Sequence, residues 1–268
     1  MPDSAQQRWE GYFYPGTQTL RNKLGITDFT QLRNVEGEIA GQNKICLSPR
    51  YSGKTAVSLR EEISYIHATL LGDVYDWAGQ FRDVNMTKEI VDSSQKSVFL
   101  RHELIAESLD QIDAVVRNYS WESASFEEKT QHLAKIHAML DYVHPFREGN
   151  GRSTRILMEH LSSFHGVQLE WERVPYQQII KASVQVFLEI RHRSTHSMEL
   201  LYQEIASPGS ISLRTHEPHT IDTSLLENTG LTYAPLESFT EAPTSPGYSS
   251  STPTDAYSID ITDDYVTE

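Results

Sequence analysis

Apolar positions along residues 1–206 recur mainly at helical spacing. After Ser125, the residues Leu133, Ile136, Met139, Leu140 and Val143 keep the three-to-four residue period of one helix face. Pro145 ends that pattern, because proline has no amide hydrogen and its ring clashes with the preceding turn. Ser125 with Glu128, and Ser58 with Glu61, have the S-x-x-E spacing in which two side chains reciprocally satisfy the free amides of a first turn. His144 is thereby expected at the C-terminal end of the helix that starts after Ser125. A second helix is predicted to begin near Asn150 or Gly151, to carry Ile156, Leu157, His160, Leu161 and Phe164 on one face, and to end at Gly166. Further helical segments are expected over 99–118, 176–190 and 195–206. Between Trp77 and Phe99 the period changes: Gln80 to Met86 alternates loosely, Asp92-Ser93-Ser94 offers a turn, and Ser97-Val98-Phe99 resumes. A short hairpin is predicted there, within an otherwise all-α chain.

Charge divides the chain. Residues 207–268 hold ten acidic residues against Arg214 alone, a net charge of −9, whereas residues 1–206 hold 22 basic and 27 acidic residues, a net −5. The same C-terminal stretch contains six of the eleven prolines and too few large apolar residues to offset the entropy of ordering, so it reads as a disordered acidic tail. The total of −14 argues against a nucleic-acid partner, since phosphate contacts need clustered Lys and Arg. Neither a run of about 18 apolar residues nor a basic start leading into an apolar stretch is found, so no membrane association and a soluble cytoplasmic product are expected. Cys46 is the one cysteine; it excludes an internal disulfide and is expected to be a buried small hydrophobe.

The candidate chemistry is concentrated in residues 144–155, HPFREGNGRSTR. Gly149 and Gly151 let backbone amides approach an oxyanion closely, and a helix beginning there adds the partial positive charge of its N-terminus. Arg152 and Arg155, three apart on that helix, share a face and offer forked donors to further phosphate oxygens. Glu148 is the one carboxylate of the segment. Among phosphate donors it calls for an intervening cation, and magnesium held by one carboxylate plus phosphate oxygens meets that need. His144, with an ordinary pKa of about 6.5, is substantially neutral at physiological pH and can take a proton from a hydroxyl. From these residues alone two readings stand, a metal–polyphosphate cradle beside a base, and a decorated helix–loop–helix turn.

The twelve residues resemble the signature of Fic domain proteins, HPF-x-[D/E]-GNG-R-x-x-R, with every specified position filled. The resemblance extends more loosely to YPGTQTLRNKLGI at 14–26 and WAGQFRDVNMTK at 77–88. It implies a Fic-type helical domain over 1–206, with a core at about 58–206, an N-terminal helical extension at 1–57, a β-hairpin flap over the active site at about 84–98, and the tail at 207–268. It further implies protein adenylyltransfer: AMP passes from ATP with Mg2+ to a Ser, Thr or Tyr hydroxyl of a target protein, and pyrophosphate leaves. In that scheme His144 is the base and Glu148 holds magnesium. Gly149, Asn150 and Gly151 form the anion cradle, with Asn150 orienting the α-phosphate, and Arg152 and Arg155 hold the β- and γ-phosphates. Phe146 points into the core, and the target pairs along the flap, where Lys88 is a candidate contact.

Many Fic proteins are restrained by a helix with the pattern [S/T]-x-x-x-E-[G/N], whose glutamate pairs with the second motif arginine. Thr223 to Asn228 fits it, making Glu227 a candidate regulatory residue on a short helix at 222–229. Leu32 to Gly37 is a near match that lacks the hydroxyl residue, and a separate antitoxin-like inhibitor is an equal alternative. Rival activities are transfer of UMP, phosphocholine or a γ-phosphate, removal of AMP, and an idle Fic scaffold used for binding. His102-Glu103 begins a zinc-protease motif, but Ala106 stands where its second histidine belongs. A toxin acting in its own cytoplasm and an effector secreted into a host are both compatible with the sequence.

Overall fold

The computed structural model describes residues 4–89, 96–209 and 257–258. The helix α1 spans Ala5–Gly11, α2 Phe29–Lys44, α3 Leu59–Leu71, α4 Ile105–Arg117, α5 Phe126–Val143, α6 Asn150–Phe164, α7 Tyr176–Glu189 and α8 His196–Ile205. Both expected capping boxes form: Ser58 accepts from the Glu61 amide and Ser125 from the Glu128 amide, each with the reciprocal glutamate bond. Such caps are worth about 1 kcal/mol each. Among the described residues no helix is long and apolar enough to cross a membrane.

α5 is the central element. It packs against α4, α6, α7 and α8, and Leu133, Ile136 and Leu140 on it are fully buried. α3 joins α2, α4 and α6 from the other side, with Ile63, Ile66 and Leu71 at 0% exposure. Burying one such Leu or Ile contributes about 1.5–3 kcal/mol, so the stripes read from the sequence are what hold the helices together.

The predicted hairpin forms from β1, Thr87–Glu89, and β2, Lys96–Val98, paired antiparallel with Thr87 opposite Val98. The helix expected from residue 99 starts later, at Ile105, after a 3-10 turn at His102–Leu104. Phe99 and Leu100 are held instead as an extension of the hairpin, their amides donating to Met86 O at 3.3 Å and Tyr142 O at 3.0 Å. Two short pairings have no counterpart in the sequence reading. β3, Val167–Leu169, pairs antiparallel with β4, Ala206–Pro208, and β5, Tyr257–Ser258, pairs antiparallel with β1. Cys46 departs from expectation, because it is exposed in the turn leaving α2, beside Ile45 at 77% exposure and off the apolar stripe of that helix. Most of the acidic tail, including the 222–229 segment, lies outside the described residues.

Candidate active site

The loop between α5 and α6 carries the candidate residues, and its two ends are backbone positions of unusual shape. His144 ends α5 in the left-handed conformation, φ 45°, with its amide still donating to Leu140 O at 3.0 Å. A non-glycine residue there costs on the order of 1 kcal/mol and persists only where the surroundings enforce it. Arg82 is the enforcer. Buried to 2% exposure, it donates from Nε to His144 O at 2.9 Å, from Nη1 to Val84 O at 2.7 Å, and from Nη2 to Val143 O at 3.2 Å and to Leu100 O. One guanidinium thereby joins the open carbonyls at the end of α5 to the base of the hairpin, and burial pulls its pKa down to about 10. The His144 ring stacks on Phe99 at 3.8 Å, and Phe99 meets Phe187 of α7 edge-on at 5.1 Å. Burial first, then the charges of Lys88 and Arg82, hold the imidazole well below its ordinary pKa, against a hydrogen bond to the Asp141 backbone. The His144 imidazole is therefore neutral at physiological pH.

At the other end, Gly149 has φ 80°, and a Cβ added there would lie 2.5 Å from Leu71 Cδ1 and 3.3 Å from His67 Nε2. Any other residue would have to displace the buried Leu71 side chain and adopt the left-handed backbone conformation that glycine takes without strain. His67 braces the loop from beneath. Its Nδ1 accepts from the Gly79 amide at 2.8 Å, which assigns the proton to Nε2, and Nε2 donates to Glu148 O at 2.9 Å. Desolvation brings its pKa down to about 4. Phe146, fully buried as expected, stacks on the His67 ring at 3.8 Å. The Asn150 amide closes the loop on itself: Oδ1 accepts from Phe146 N and Nδ2 donates to Phe146 O, both at 2.8 Å. Arg147, at the unspecified position of the motif, is 1% exposed and lies over Trp9 at 4.4 Å and Phe13 at 5.0 Å, which fastens α1 under the loop.

Glu148 accepts from the Gly149 amide at 3.0 Å. Its pKa is raised by burial and then by the nearby Glu36, with Arg152, the Gly149 amide and Arg147 opposing. Glu36 lies on α2 at 7% exposure, accepts from the Tyr75 hydroxyl and forms an ion pair with Arg152 of α6. A buried loop carboxylate whose charge is disfavoured by its surroundings is a donor that a hard divalent cation would relieve. Arg155 lies over the Tyr176 ring at 5.6 Å.

The sequence-predicted residues thus share one loop and the first turns of one helix, flanked by the hairpin through Lys88 and Arg82. Sequence reasoning did not single out His67, Arg82 or Arg147, each of which has its effect through partners distant in sequence. Arg82 lies within the 77–88 stretch of the resemblance and inside the loosely alternating segment Gln80 to Met86, which was the available signal. The near match at Leu32 to Gly37 turns out to carry the acid that reaches the site, and it meets Arg152 rather than Arg155. Glu227 lies outside the described residues.

The Fic/DOC family model matches residues 57–162. "Protein adenylyltransferase VbhT" of Bartonella schoenbuchensis is 31% identical over 188 residues, 68% of this chain and 37% of that relative. "Probable protein adenylyltransferase Fic" of Escherichia coli is 28% identical over 177 residues, 65% of this chain and 82% of that relative. Among solved structures, the N-terminal Fic domain of a Bartonella effector protein (Bep) from Bartonella sp. AR 15-3, described as a substrate of VirB T4SS, superposes with a TM-score of 0.65. It is 26% identical, over 74% of this chain and 92% of that one. The chain spans less than half the length of VbhT and of a second Bartonella adenylyltransferase, 37% and 40% respectively. With the matched segment running from the cap of α3 to the end of the α5–loop–α6 unit that holds the site, the chain belongs to the Fic domain family.

Proposed function

We propose that this site transfers AMP from ATP to a hydroxyl of a protein. The observation that carries the reading is a histidine kept neutral at the end of α5, on the same loop as an anion cradle, one carboxylate and two arginines. The names of the VbhT and E. coli relatives support the choice of AMP among groups that such a cradle could hold. The amides of Gly149 to Gly151 open the N-terminus of α6 and receive α-phosphate oxygens. Asn150 acts on that phosphate by fixing the loop through Phe146. Arg155 takes the γ-phosphate, and Arg152 takes the β-phosphate after exchanging Glu36 for it.

The target hydroxyl gives its proton to the His144 imidazole as its oxygen bonds to the α-phosphorus, and pyrophosphate leaves with the electron pair of the broken bond. The negative triphosphate raises the basicity of His144 when it arrives, because a nearby anion favours the imidazolium. Glu148 would hold magnesium, which would neutralise phosphate charge as it develops. The target aligns along the hairpin edge by main-chain pairing, with Lys88 beside the base. Delivery into another cell as an effector is the cellular setting we favour, by analogy with the Bep relative. ATP labelled at the α- or the γ-phosphate, incubated with the chain and a cell lysate, tests the reading. Protein label from the α position alone is expected; label from the γ position alone would replace AMP transfer by phosphorylation.

A further inference from the structure

The two arginines of α6 are held in different ways. Arg152 forms an ion pair with Glu36, so an incoming phosphate has to take the place of a carboxylate. Among the described residues no carboxylate pairs with Arg155, and its guanidinium carbon lies 5.6 Å from the centroid of the Tyr176 ring. The Arg155 side chain folds back along its own helix, in the direction that helical side chains lean. A Cβ added at Gly151, one turn earlier, would lie 3.4 Å from Arg155 Nη1. The guanidinium is therefore next to the first turn of α6, where the free amides open, and next to Tyr176. Tyr176 is the first residue of α7 and continues the stripe of Ile179, Ala182 and Val186, all buried. Its ring is partly buried and packs against the main core, and α7 itself packs on α5 and α8. Tertiary packing, rather than anything local to α6, puts an aromatic face beside this arginine.

We propose that Tyr176 is a positioning residue whose ring holds the Arg155 guanidinium in place for the terminal phosphate of a nucleoside triphosphate. The inference rests on the reading of the site as one that binds the triphosphate of ATP. A tyrosine ring attracts a guanidinium through its negative face and leaves no carboxylate to be displaced when the anion arrives. An unrestrained arginine loses rotamer freedom on binding an anion, and holding it beforehand removes part of that loss. Since Arg155 faces the γ-phosphate in the proposed arrangement, the ring favours triphosphates over diphosphates. The hydroxyl takes no part in this, so phenylalanine should serve as well.

Isothermal titration of the full chain with a non-hydrolysable ATP analogue and with ADP, each with magnesium, tests the proposal. Tyr176→Leu keeps an apolar side chain against the core and removes the ring face. Its affinity for the analogue is expected to fall roughly three- to thirtyfold, the range that a cation–π contact is worth, with ADP affinity changed by less than about twofold. Tyr176→Phe should retain the affinity of the unsubstituted chain, and Tyr176→Leu should have no further effect when added to Arg155→Ala. Equal loss for both nucleotides, a loss that persists in Arg155→Ala, or unchanged analogue affinity in Tyr176→Leu overturns the proposal and leaves the nucleotide site standing. Melting temperatures identify a variant that fails to fold, and Tyr176→Met then makes the same comparison. Binding of neither nucleotide by the unsubstituted chain brings down the reading of the site and the proposal with it.

Discussion

At the scale of single residues, the proposed chemistry turns on His144 and Arg82. Because the folded protein depresses the pKa of His144, the base is lost only as pH falls through that depressed value. The rate of transfer should therefore show no half-loss attributable to this histidine near pH 6.5, where an ordinary imidazole is about half protonated. A pH profile of kcat/KM checks this. His144→Ala should lower transfer by about 10²–10⁴-fold, the range for a general base, more than the lost stacking on Phe99 lowers the folded fraction, which the melting temperature reads separately. Arg82→Met should act on stability as well as rate, because four carbonyls lose the donor they share. Stranding buried acceptors costs about 1–3 kcal/mol each before relaxation, so a loss of roughly 3–5 kcal/mol is expected in denaturant titration. The motif was readable because its residues are contiguous. The role of Arg82 was not, since its partners lie at Val84, Leu100, Val143 and His144.

Among the elements, α2 matters more than its sequence suggested. The caps and the apolar period identified α3, α5 and α6 correctly, because those signals are local. The hairpin was readable as a change of period, whereas β3 and β4 are strands of three residues, too short for any period to register. That α2 lays Glu36 against Arg152 follows from its packing on α3 and from the position of α6 beyond it, which no local pattern encodes. Glu36→Gln should remove the competitor for Arg152 and the charge that raises Glu148. A charge-assisted pair of this kind is worth about 1.5–3 kcal/mol, so nucleotide affinity should rise about tenfold or more. The Tyr75 hydroxyl would at the same time lose its carboxylate partner, and the melting temperature should fall slightly. Isothermal titration with a non-hydrolysable ATP analogue reads the first effect, and unaltered affinity would remove Glu36 from any restraining role.

For the molecule as a whole, the buried histidines couple stability to pH. His67 and His165 have pKa values near 4, and burial also lowers those of His132, His137 and His144. Each is neutral in the fold at a pH where the unfolded chain is protonated. The unfolded state then binds more protons, so stability falls as pH drops below about 6.5 and continues to fall to about pH 4. One pKa unit of difference corresponds to about 1.4 kcal/mol, so His67 alone should remove roughly 3 kcal/mol by pH 4. Urea midpoints between pH 7 and pH 4.5 should decline steadily, and His67→Gln should flatten part of that decline.

What the sequence determined by itself is the set of things decided within a dozen or so neighbouring residues. These are where α5 stops, where α6 starts, and which base, acid, glycines and arginines stand between them, since caps, prolines and periodicity act over one or two turns. The tertiary structure alone decided what surrounds that loop. Glu36 reaches Arg152 across 116 positions, His67 reaches Glu148 across 81, and β5 meets the hairpin from the far end of the chain. Those pairings depend on which helices pack together, and packing is a property of faces that meet in space rather than of residues that follow one another.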